Sequence, residues 1–108
     1  MSDCIFCKII KGEIPTEFLY QDKNIVAFRD INPKAPVNIL IVPKKHIEDF
    51  ITSEEFICNK MLKVAKKLIK KYNLAKIGYR LVVNGGGAAL VTHLHMHLLG
   101  QITTDRRT

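Results

Sequence analysis

At 108 residues the chain has room for one domain built on one hydrophobic core. Its 47% hydrophobic and 25% charged content is ordinary for a globular protein, and no apolar run approaches the ~20 residues of a membrane-spanning helix. A net charge of +7 invites nucleic acid as a partner, but there is no tryptophan and no basic patch interleaved with aromatics of the kind that single-stranded binders use.

The N-terminus, MSDCIFCKIIKGE, lacks a long apolar run after basic residues. That argues against a secretory signal and for a cytoplasmic protein, in which the three cysteines stay reduced. Residues 4–10 (CIFCKII) predict a short helix or turn ended by Gly12, and residues 18–21 and 25–29 (IVAFR) two strands. Residues 32–36 (NPKAP) predict a loop, because each proline removes a donor and restricts its predecessor. The β-branched run 37–42 (VNILIV) predicts a buried strand ended by Pro43, with His46 close behind.

Thr52, Ser53, Glu54 and Glu55 have the spacing of a capping box. After them Ile57, Met61, Val64, Ala65, Leu68 and Tyr72 recur at helical spacing, which predicts the one long helix, to about residue 73. Lys60, Lys63, Lys66, Lys67, Lys70, Lys71 and Lys76 lie in and just after it. A solvated lysine face accounts for most of the positive charge, so a nucleic-acid partner is not expected. Residues 78–84 (GYRLVVN) predict another strand, and Gly85, Gly86 and Gly87 a loop. The sum is an α+β domain: an antiparallel sheet of about five strands with one long helix and a short N-terminal one.

The last segment, THLHMHLLG at residues 92–100, carries three of the four histidines at alternate positions. In a strand, side chains two apart share a face. His93, His95 and His97 therefore point one way, and Leu94, Met96 and Leu98 point into the core under the long helix. Adjacent imidazoles repel when protonated and gain little when neutral, so stability does not explain the row. Imidazole is a metal ligand, and near neutral pH also a nucleophile or proton shuttle. Cys4 and Cys7 form a CxxC, which serves zinc or redox chemistry. Two cysteines, His46 and one histidine of the row would complete a closed tetrahedral zinc site. Cys58 reads as a small buried apolar residue.

Taken together, HLHMHLL, CIFCKIIKGEIP, FRDINPKAPVNILIVPKKHI and RLVVNGG, in that order, resemble the Hint branch of the histidine triad (HIT) family from about residue 4 to residue 99. The resemblance implies a single HIT domain over residues 1–108, joined with a second copy into one continuous sheet as a homodimer. It implies hydrolysis or transfer at the α-phosphate of a purine nucleotide, such as AMP carried as its 5′-phosphoramidate, through a nucleotidyl-histidine intermediate. By the same resemblance His95 is the nucleophile, His97 and Asn84 contact the phosphate, and Asp30 binds the ribose hydroxyls. Ile5, Phe6, Ile9, Phe28 and Ile31 line the base pocket, and Cys4, Cys7, His46 and His93 hold a structural zinc. Chemistry adds two expectations. His95 should donate one ring N–H to a backbone carbonyl, freeing the other nitrogen to attack. The amides of residues 85–87 should face an anion.

The chain also departs from the family. Its segment NGGGAALVTH is about two residues shorter than usual, and Ala89 and Leu90 stand where a glutamine and a hydroxyl or acidic residue are usual. Neither can protonate a departing amine. Weak phosphoramidase activity, or a better leaving group, is expected. A dinucleoside polyphosphate hydrolase and a slow nucleotide-binding or scaffold protein are the alternatives.

Overall fold

A computed structural model of the chain describes residues 4–30 and 36–101. Ile31 and most of the expected 32–36 loop lie outside the described residues. Five strands form one antiparallel sheet: β1 (Tyr20–Gln21), β2 (Ile25–Arg29), β3 (Val37–Pro43), β4 (Tyr79–Val82) and β5 (Met96–Gly100). The helices are α1 (Ile5–Ile10), α2 (Glu55–Lys71) and the short α3 (Leu74–Ile77). The spatial order is β1-β2-β3-β5-β4, so the last strand enters between β3 and β4.

This insertion places the second half of the histidine segment, with His97, inside the sheet; His93 and His95, expected in the same strand, lie just before β5 begins. β5 pairs Leu40 with His97 on one side and Val82 with His97 on the other. Alternation then sorts the side chains onto two faces. Ile25, Ala27, Ile39, Ile41, Leu94, Met96 and Leu98 pack with Ile57, Met61, Val64, Ala65 and Leu68 of α2. Val26, Phe28, Leu40 and Val42 pack on the opposite face with Phe6 and Ile9 of α1. Each fully buried Leu, Ile or Met contributes roughly 1.5–3 kcal/mol. The apolar residues between the histidines thus anchor the segment to α2 and leave the imidazoles on the α1 face.

Three local expectations change. The hydroxyls of Thr52 and Ser53 do not cap α2. They bond back to the carbonyls of Asp49 (3.0 Å) and Phe50 (2.6 Å), closing a 3-10 turn, Phe50–Thr52, and Glu54 is the N-cap without a side-chain bond. Cys58 is half-buried rather than buried, with its Sγ 3.1 Å from Ser53 Oγ. α3 follows Asn73 in the left-handed region (φ 56°), a turn that ended the helical pattern early.

The β1–β2 hairpin is held by Asp22. Its Oδ1 accepts the N–H groups of Asn24 (2.7 Å) and Ile25 (2.8 Å), and its Oδ2 accepts the Tyr20 hydroxyl (2.6 Å). Burial pushes the carboxyl upward, but the Tyr20 and amide bonds outweigh it and hold the group below its ordinary 3.8. A depressed carboxylate adds stability above its unfolded value and loses it as pH falls through the folded one. Asp22→Asn should therefore cost about 1 kcal/mol at pH 7. Thermal melts below pH 3.8 should then show a shallower loss for the variant than for the parent.

Candidate active site and metal centre

The α1 face of the sheet gathers most of the expected residues. Cys4 is the N-cap of α1, and the Cys7 N–H donates to its Sγ at 3.4 Å. Cap and first turn thereby turn both sulfurs to the same side. On the other side, the Leu94 N–H donates to the Ile47 carbonyl (2.6 Å), which lays the segment after β3 along the histidine segment. His46 and His93 meet as a result, ring centroids 4.8 Å apart.

The four donor atoms of Cys4, Cys7, His46 and His93 lie within 4.8 Å of one another. His93 Nδ1 is 3.3 Å from Cys4 Sγ, 3.6 Å from Cys7 Sγ and 3.1 Å from His46 Nδ1; Cys7 Sγ is 3.3 Å from His46 Nδ1. Tetrahedral zinc with nitrogen and sulfur ligands separates its ligands by about 3.3 to 3.8 Å. The tautomer gives a second test. The Pro43 carbonyl only accepts, so His93 Nε2–H donates to it (2.9 Å) and Nδ1 of the neutral ring is a lone pair aimed at the other three donors. Metal-bound histidines are oriented by this kind of outer bond. Burial chiefly, with His46 and His95 nearby, holds the His93 imidazole below its usual pKa against the opposing Pro43 bond. Burial, then the Cys4 sulfur, pushes the Cys7 thiol up. The first shift keeps the His93 lone pair free for a metal; the second disfavours the Cys7 thiolate unless a cation is there to balance it. Four protein donors leave no open position, so the set suits structural rather than catalytic zinc.

His95 lies next along. It is buried, and Phe6 packs against it edge-on at 5.0 Å between centroids and against His93 at 5.8 Å. Its Nδ1–H donates to the His93 carbonyl at 2.8 Å. This is the expected backbone bond, and it makes Nε2 the lone-pair nitrogen. No side-chain nitrogen or oxygen among the described residues is buried without a partner. His97 stacks edge-on to His95 at 5.1 Å and donates Nδ1–H to Asn38 Oδ1 at 3.3 Å. Asn38 in turn donates Nδ2–H to Asp30 Oδ2 at 3.4 Å.

The expected base-pocket residues divide. Phe6, Ile9 and Phe28 are buried in one cluster, Phe6 and Phe28 edge to face at 5.9 Å, whereas Ile5 is 42% exposed. Asn84 is exposed, two residues beyond the Val82–His97 pair. The glycine loop differs from expectation. Residues Gly86–Ala88 form a 3-10 turn, and the Gly86 N–H donates to Asp49 Oδ1 (3.2 Å) rather than standing open to an anion. A Cβ on Gly85 would stand 2.8 Å from that same oxygen. A carboxylate against the loop leaves fewer amides for an anion. Sequence reasoning missed Asn38 and Asp49. Asn38 carried a signal: it is a lone amide in an apolar strand, on the face of Leu40 and Val42.

Comparison with known proteins gives consistent results. The HIT domain model matches residues 11–104. A purine nucleoside phosphoramidase of Escherichia coli is 43% identical over 103 residues, 91% of this chain and 87% of that protein. A 14 kDa zinc-binding protein of Zea mays is 47% identical over 108 residues, 92% and 82% of the two chains. Among solved structures, a HIT family hydrolase from Clostridium thermocellum superposes with a TM-score of 0.91 at 41% identity, covering 99% of this chain and 97% of its own.

Proposed function

This chain belongs to the HIT domain family, and from that premise we propose that it is a purine nucleotide hydrolase of the adenosine 5′-phosphoramidate type, acting at the α-phosphate through a nucleotidyl-histidine intermediate. The observation that carries the reading is the His95 Nδ1–H bond to the His93 carbonyl. It leaves the lone pair of the unprotonated ring on Nε2, where it can attack without a separate base. That lone pair attacks phosphorus, the phosphorus–nitrogen bond of the substrate breaks, and its electron pair leaves with the amine, which takes up a proton. Water then attacks the nucleotidyl-imidazole, releasing AMP and the free imidazole. His97 and Asn84 stabilise the charge gathering on the phosphoryl oxygens. Asp30 takes the ribose hydroxyls, and Ile5, Phe6, Ile9, Phe28 and Ile31 surround the base. Cys4, Cys7, His46 and His93 hold a structural zinc that ties α1 to the histidine segment. The thiolates of such a site need a reducing compartment such as the cytoplasm. β4 is an edge strand with Tyr79 and Leu81 exposed, which supports two-fold pairing there.

Leu90 is 96% exposed and Ala89 half-buried. Neither side chain has a proton to give, and general acid catalysis is typically worth ~10²–10⁴-fold. This favours, as a second reading, a dinucleoside polyphosphate whose leaving group needs less protonation. The test is AMP release from adenosine 5′-phosphoramidate and from a diadenosine polyphosphate, measured side by side. Slow but His95-dependent release from the phosphoramidate is the expected result. Release from the polyphosphate alone selects the second reading. Tight AMP binding without turnover of either substrate removes hydrolysis.

A further inference from the structure

Apart from His93 and His95, Asn38 is the buried polar side chain among the described residues, only 4% exposed in the middle of the sheet. A buried carboxamide left unbonded would cost about 1–3 kcal/mol. Here it is bonded at both ends, and the bonds have a direction. An ionised carboxylate only accepts, so Asp30 Oδ2 draws the amide nitrogen of Asn38 toward it (3.4 Å). That turns Oδ1 toward His97, 3.3 Å from Nδ1. A carbonyl oxygen also only accepts, so the hydrogen must sit on His97 Nδ1.

We propose that Asn38 is a positioning residue: turned by the Asp30 carboxylate, its carbonyl keeps the proton of neutral His97 on Nδ1 and so makes Nε2 the basic nitrogen of that ring. The role of His97 at the phosphate rests on the function proposed above; the direction of the hydrogen-bond chain does not. At the phosphate Asn38 acts through His97, so its removal slows the chemical step; its bond to Asp30, at the ribose in the function proposed above, shows separately in KM. Misplacement of an aligned group by about 1 Å can cost ~10²-fold.

The first readout is the ring-nitrogen NMR of the zinc-loaded full chain labelled at histidine, with His97 assigned by its disappearance in His97→Ala. The parent should show Nδ1 protonated and Nε2 bare near pH 8. Asn38→Ala should lose that preference. A parent ring protonated on Nε2, or the same tautomer in the parent and in Asn38→Ala, overturns the proposal. Asn38→Leu replaces Asn38→Ala if the latter does not fold. The second readout is kinetic. Asn38→Ala should lower kcat tenfold or more, and should cost no further kcat in a His97→Ala background. Losses in kcat that multiply across the two sites overturn the proposal. A parent that turns over no substrate defeats the proposed function instead, and the tautomer measurement then decides the role of Asn38 by itself.

Discussion

His95→Ala should abolish turnover of adenosine 5′-phosphoramidate, with kcat falling on the order of 10⁴-fold or more, as loss of a covalent nucleophile does elsewhere. The expectation follows from one hydrogen bond. The His93 carbonyl takes the Nδ1 proton at 2.8 Å, so the lone pair is fixed on Nε2. Phe6 and His97 both pack edge-on against the ring, which limits its rotation. His97 cannot replace it, because its own ring is tied to Asn38. The variant also loses a large buried side chain, so melting should be measured first and kinetics run where the protein is folded. AMP affinity should change much less than kcat, since the nucleophile is needed at the transition state. A rapid quench of the parent with nucleotide labelled at the α-phosphate should leave label on the protein, stable in base and released in acid, as a phosphorus–nitrogen bond requires. Label that survives acid, or a His95→Ala protein that turns over at the parent rate, would remove the covalent route.

The facing of single side chains was partly legible because the sheet has a period of two. Alternation in HLHMHLL assigns two faces without any knowledge of the fold, and Leu94, Met96 and Leu98 do pack under α2. The long helix was legible for a similar reason: five of its six expected core positions are buried, and the sixth, Tyr72, is its half-buried C-cap. Strand order was not legible. β5 enters between β3 and β4, and that choice is made by contacts far apart in the chain, which no local pattern encodes. Asn38 was hidden similarly, since its partners stand 8 and 59 positions away. The cap of α2 shows the opposite failure. Ser53 had the right chemistry, but its hydroxyl had a nearer acceptor in the Phe50 carbonyl.

Removing the metal should destabilise the protein more than it slows the reaction. A ligand that binds only the folded state stabilises it by about 4 kcal/mol when present at ~1,000 times its Kd. For a domain near this size each kcal/mol moves Tm by roughly 4 °C. Chelation, or the double substitution Cys4→Ser and Cys7→Ser, should then lower Tm by about 15 °C. The catalytic penalty should be smaller. His95 is oriented by the backbone carbonyl of His93, not by its ring, and the His93 ring keeps its bond to Pro43 after the metal leaves. kcat, read where the protein is still folded, should fall by no more than about tenfold. Acid should act in the same direction. The unfolded chain protonates His93 near 6.5, while burial chiefly keeps the folded, metal-free ring from doing so. The unfolded state therefore binds more protons, and stability falls as pH drops below that value. The loaded protein should fall more steeply, because protons also compete for the sulfur and nitrogen ligands. Metal analysis finding no zinc in protein purified without chelator, or a Tm indifferent to chelation, would sink the structural zinc. A kcat that collapses together with Tm would instead mean that the four ligands hold the nucleophile itself, through the carbonyl that His93 offers to His95.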